Sequence, residues 1–137
     1  MAVHLKEAVV IVIEDNADNM FLVMEILRPK VRYINVRPSG QQLFKLLETM
    51  HVRPIHIILL DLHIPREDGY AVLRRIRESE ELKNTIVVAV TADTAPEDVI
   101  RARGAGFNGF IGKPIDIDRF PEQIERILQG ESVWEPS

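Results

Sequence analysis

The sequence predicts an α/β fold, a doubly wound parallel sheet covered by helices on both faces. Three observations predict it. Apolar runs of strand length recur along the chain. Stretches with helical spacing of apolar residues lie between them. The two kinds alternate throughout, and strands linked by helices pair in parallel beneath helical layers.

The first strand is "VVIVIED", Val9 to Asp15. Its five β-branched residues read as a strand buried on both faces, and the run stops at two acids. A helix over Asn16 to Arg28 follows. A weaker strand, "VRYINV", spans Val31 to Val36, and Ser39 then caps a helix that runs to Met50. "IHIILLD", Ile55 to Asp61, is a third strand that again ends on a carboxylate. The next helix, Asp68 to Ser79, places Tyr70, Leu73 and Ile76 on one face. "TIVVAVT", Thr85 to Thr91, ends on a hydroxyl. Pro96 opens a helix to Arg103, with Glu97 and Asp98 suited to its positive end. "GFNGFIGKP", Gly106 to Pro114, ends on Lys113 and Pro114. A last helix covers Asp118 to Gln129, with Ile124, Ile127 and Leu128 on one side and Gly130 as its stop. The expectation is five strands and five helices in one domain, residues 1–130. The short C-terminal tail 131–137, "ESVWEPS", reads as frayed.

Bulk properties exclude several classes. There is no Cys, which removes disulfide frameworks and thiolate zinc sites. "MAVHLKEA" lacks a signal-peptide pattern, and no apolar run approaches the roughly 18 residues of a membrane span. A soluble, cytoplasmic chain without membrane contact is expected. The net charge of −4 argues against the basic footprint of direct nucleic-acid binding.

Ligands of open α/β sheets bind outside the carboxyl ends of the strands. Those ends carry Glu14, Asp15, Asp61, Thr91 and Lys113, which therefore converge on one cleft. Three carboxylates together stay ionised only if a cation neutralises them, and hard oxygen ligands suit Mg²⁺. A metal, an ammonium and a hydroxyl around a carboxylate serve phosphoryl transfer to that carboxylate. They also suit binding of phosphate itself, and the residues alone leave both open.

Four motifs carry a family resemblance: "IED" at Ile13 to Asp15, "LLDLHIPREDGY" from Leu59, "AVTAD" from Ala89 and "GFIGKPID" from Gly109. From about Ala8 to Gln129 the chain resembles the receiver domain of bacterial two-component response regulators, of the stand-alone, single-domain type. The resemblance implies a flavodoxin-like three-layer sandwich with strand order 2-1-3-4-5. It implies that Asp61 is the phosphoacceptor, served by a histidine kinase or phosphotransfer protein. Asp15, Asp61 and the His63 backbone carbonyl would ligate Mg²⁺, with Glu14 acting through water. Lys113 would pair with phosphoryl oxygens, and Thr91 would bond the phosphoryl group. Phe110 would turn inward as the aromatic switch, beside the small Ala92, and Pro114 would follow a cis peptide. His63 and Asp93 stand where the family tunes phosphate lifetime. Such a protein catalyses only its own phosphorylation and dephosphorylation and is not a dedicated enzyme. Its output is a downstream effector protein, and it acts as a monomer or a phosphorylation-dependent dimer.

Two other classes compete. A pseudo-receiver would be a constitutive binding module, but the complete set of acids, Thr91 and Lys113 argues against it. A hydrolase with an Asp nucleophile would need a substrate-covering cap, for which the chain is small. Among the remaining residues, His4, His51 and His56 read as structural or surface groups. Arg74, Arg75 and Arg77 read as a solvated helix face. The first helix is unusual: in "MFLVMEIL", Met20 to Leu27, only Glu25 is polar. Met20, Val23 and Leu27 form its expected sheet face, with Phe21 and Met24 on one flank as a candidate docking site.

Overall fold

The structure, a computed structural model, describes residues 2–137. A single 3-10 turn, Leu5–Glu7, leads into β1 (Val9–Ile13), α1 (Ala17–Leu27), β2 (Tyr33–Arg37), α2 (Gly40–Thr49) and β3 (Ile57–Leu60). A small hairpin, β4 (His63–Ile64) and β5 (Glu67–Asp68), comes next. Then follow α3 (Gly69–Glu78), β6 (Ile86–Thr91), α4 (Pro96–Ala105), β7 (Gly109–Gly112), α5 (Arg119–Leu128) and β8 (Trp134–Glu135). The sheet order is β2-β1-β3-β6-β7-β8, and every neighbouring pair is parallel. The five long strands thus take the expected 2-1-3-4-5 order.

The period of two along each strand divides the core in half. Ile11, Ile13, Ile58, Leu60, Val87 and Ala89 face α2, α3 and α4, where Leu43, Leu73, Ile76 and Ala102 meet them. Val10, Val12, Ile57, Leu59, Val88 and Val90 face α1 and α5, where Val23, Leu27, Phe120 and Ile124 meet them. Each such buried Val, Leu, Ile or Phe side chain contributes about 1.5–3 kcal/mol relative to exposure. Side chains fix where helices begin. Asn16 accepts from the Asn19 N–H at 2.9 Å, Ser39 from Gln42 at 3.1 Å and Asp68 from Tyr70 at 2.9 Å. Gly106, at φ 105°, ends α4 in the left-handed region.

Four expectations are corrected. β2 starts two residues late, because Val31 lies before the register in which Tyr33 pairs with Val9. The tail is not frayed. Val133 is fully buried, and Trp134 and Glu135 pair with Phe110 and Ile111 as a sixth strand. Arg77 is not a solvated residue; it donates to the carbonyls of Lys83, Thr85 and Gly106 and to Asn108 Oδ1. On α1 the buried face is Val23, Ile26 and Leu27, while Met20 is only half-buried.

Candidate functional site

β1, β3, β6 and β7 end at the same edge of the sheet. Glu14 and Asp15 follow β1, Asp61 follows β3, Thr91 closes β6 and Lys113 follows β7. Carboxylate oxygens of Glu14, Asp15 and Asp61 all lie within 4.8 Å of one another. Glu14 and Asp61 are buried, and Asp15 is exposed at the rim. The Lys113 Nζ donates to Glu14 Oε1 at 2.6 Å and to Asp61 Oδ2 at 3.1 Å. Backbone groups hold the remaining oxygens. The Asn16 N–H donates to Glu14 Oε2 at 3.1 Å and the His63 N–H to Asp61 Oδ1 at 2.9 Å.

Burial pushes the Glu14 carboxyl above its usual range, although the Lys113 and Asn16 hydrogen bonds oppose it. Burial pulls the Lys113 ammonium down, but its bonds to Glu14 and Asp61 win and raise it, so it stays charged. Three carboxylates minus one ammonium leave a formal charge of −2. That residual charge and an all-oxygen donor set fit a hard divalent cation such as Mg²⁺.

Thr91 is fully buried, and its Oγ1 accepts the Asp93 N–H at 3.1 Å. Phe110 is also fully buried, in the core half that faces α4, so it already stands in the inward position that the resemblance reserves for the switched form. Ala92 is exposed. The Lys113–Pro114 peptide is cis, as is Arg53–Pro54, which the sequence did not reveal. The His63 ring pairs with Asp93 across the mouth of the site. The bend after Asp61 needs Gly69: a Cβ there would lie 3.0 Å from the Leu62 Cα.

Sequence reasoning missed several supports. The Glu67 carboxylate, on the hairpin after Asp61, accepts the Gly40 N–H at 2.6 Å and so ties this loop to the start of α2. A charged residue two positions before a helix gives no signal of that. The Arg37 carbonyl accepts the Glu14 N–H at 3.0 Å. The Arg37 Nε is buried without a hydrogen-bond partner among the described residues. A cleft of about 660 Å³ lies elsewhere, around Arg53, Pro54 and His56 at the opposite end of the strands. Its charged groups are already engaged, Arg53 with Glu81 and with the carbonyls of Leu47 and Met50, and His56 with the Val9 N–H.

Comparisons with known proteins agree with this geometry. The family model for the response regulator receiver domain matches residues 10–125. The polar-differentiation response regulator DivK of Brucella ovis is 33% identical over 120 residues, covering 87% of this chain and 94% of that protein. The receiver domain of a sensor histidine kinase from Pseudomonas aeruginosa is 25% identical, with a TM-score of 0.75 over 91% of this chain and 99% of that one. That structure has a magnesium ion coordinated in its active site cleft. The chemotaxis protein CheY4 of Vibrio cholerae, at 20% identity, shares the fold, with a TM-score of 0.78 over 88% of this chain and 98% of its own. With 116 consecutive residues matched (10 through 125) and the acids at the sheet edge where the family fold binds its ligands, the chain belongs to the response regulator receiver domain family.

Proposed function

We propose that this chain is a stand-alone receiver, in which Asp61 takes a phosphoryl group from a histidine kinase or phosphotransfer protein and so switches binding to a partner protein. The observation that carries this reading is the Lys113 ammonium, bonded at once to Asp61 and Glu14 beside a third carboxylate. An Asp61 oxygen attacks phosphorus in line. The bond from phosphorus to the donor's imidazole nitrogen breaks, its electron pair stays on that nitrogen, and an acyl phosphate forms. Lys113 gives up its bond to Asp61 Oδ2 and pairs with a phosphoryl oxygen. The Thr91 hydroxyl donates to another, and the small Ala92 leaves room for the group. Asp15, Asp61, the His63 carbonyl and, through water, Glu14 would hold Mg²⁺. Such an ion neutralises charge on the phosphoryl oxygens.

In this reading residues 1–130 are the receiver unit and 131–137 its tail, and the site of action is the cytoplasm. Among the described residues no helix is long and apolar enough to cross a membrane. The test is incubation with Mg²⁺ and acetyl phosphate, followed by the mass of the intact protein. Wild type gains one phosphoryl group, and Asp61→Ala gains none while keeping its fold. A wild type that never gains the mass is a pseudo-receiver, and full labelling of the variant moves the acceptor elsewhere.

A further inference from the structure

The C-terminal segment is fastened to three elements at once. The Phe110 N–H donates to the Val133 carbonyl at 2.9 Å, which sets β8 beside β7. From α4, the Arg103 guanidinium lies 4.9 Å from the centre of the Trp134 ring. From α5, Arg119, Gln123 and Arg126 all donate to the Glu135 carboxylate, at 3.1, 2.9 and 2.9 Å. Those bonds, Gln123 first, outweigh burial and hold that carboxyl below its usual range.

The end of this segment presses on the residue before Lys113. A Cβ added to Gly112 would lie 2.0 Å from the Pro136 carbonyl oxygen and 2.8 Å from the Thr94 Cγ2. Gly112 is therefore clasped between the tail and the loop that follows Thr91. The Lys113 N–H in turn donates to the Thr91 carbonyl at 2.8 Å. Tail, Gly112, Lys113 and Thr91 form one continuous contact, with no slack at Gly112.

We propose that residues 131–137 are a strap that brakes the acid site: seated, it holds β7 in the arrangement where Lys113 bridges Glu14 and Asp61, and occupation of the phosphoryl position loosens it. This rests on the reading of Asp61 as the acceptor. A phosphoryl group draws Lys113 and Thr91 toward itself, and Gly112 cannot follow while the Pro136 backbone abuts it. Coupling between binding events is reciprocal, so a loosened strap favours the occupied site by the factor with which occupation loosens the strap.

The experiment uses the full chain and its single tryptophan, which lies in the strap. The probe is beryllofluoride with Mg²⁺, a mimic of the acyl phosphate. Trp134 emission should change as the probe binds wild type. Glu135→Lys, which sets a cation against Arg119 and Arg126, should bind it about five-fold or more tightly. Glu135→Gln, which keeps the side chain's shape and removes only its charge, should move affinity in the same direction by less. Equal affinity in both variants and wild type, or probe binding that leaves Trp134 emission unchanged, overturns the strap. Acetyl phosphate labelling is read in parallel. If wild type gains phosphoryl mass while the strap readouts stay flat, the brake is wrong and the Asp61 reading stands. If no mass is gained, the acceptor reading fails and takes the brake with it.

Discussion

Lys113 is the residue on which the site turns, because one ammonium serves two buried carboxylates. Asp15, exposed at the rim and outside the two bonds that Lys113 makes, is the acid that the proposed Mg²⁺ site would use. Loss of an outer-shell group costs about 10- to 100-fold in metal affinity, and a direct ligand costs no less. Asp15→Ala should weaken Mg²⁺ binding by at least that factor, read by calorimetric titration, and unchanged affinity would remove Asp15 from the ligand set. His56 acts on stability. Its Nδ1 must stay unprotonated to accept the Val9 N–H at 2.9 Å. Burial first, and the Arg32 charge second, hold its pKa below the ordinary value. A lowered histidine pKa means that the folded chain prefers the neutral ring. Its contribution is present above the unfolded value of about 6.5 and is lost as pH falls below it. Denaturation midpoints across that window should fall less steeply in His56→Gln than in wild type. At this scale the acids, Thr91 and Lys113 were legible, since polar residues that end apolar strands stand out. Arg77 was not, because its partners are carbonyls from loops that only the fold brings near.

Among the elements, α1 leaves the plainest mark on the surface. Val23, Ile26 and Leu27 are buried and Met24 is half-buried, yet Phe21 is 68% exposed. An exposed ring on a helix that starts directly after the acid pair suits docking by a phosphodonor protein. Phe21→Ser with Met24→Ser should slow phosphotransfer from the cognate protein and leave acetyl phosphate labelling nearly unchanged. Equal loss of both reactions would show that these residues belong to the core. Strands β1, β3 and β6 could be read from sequence because both of their faces are buried, so every position is apolar except Thr91, the last of β6. β2 could not be placed as well: it is an edge strand, half-buried throughout, and its sequence mixes apolar and polar residues. β8 has two residues, too few for any periodicity, and exists through its pairing with β7.

For the molecule as a whole, the two core halves lie on opposite faces of the sheet, and β6 and β7 carry residues into both. Thr91 and Phe110 lie on these adjacent strands and are fully buried. If the proposed switch operates, a change at Thr91 reaches Phe110 through this ladder, in which Thr91 pairs with Gly112 and Ala89 with Phe110. Thr91→Ala should still accept phosphate on Asp61 but fail to transmit it. NMR shifts between Thr91 and Pro114 would then respond to phosphate less than in wild type, and identical responses would refute the coupling. The layer order and the position of the site were legible at this scale, because helix-linked strands restrict the topology and the strand ends name the site. The sixth strand was not, and it changes how the sheet meets its surroundings. An unpaired strand edge is a template for another chain, and the tail covers the one that β7 would otherwise present. Among the long strands only β2 remains at a margin, where Pro38 follows its last residue and Arg37 closes it. Self-association that begins by sheet extension thus has a single long margin to use, so a chain clipped after Gly130 should aggregate sooner than the intact one, as light scattering on gentle warming would record.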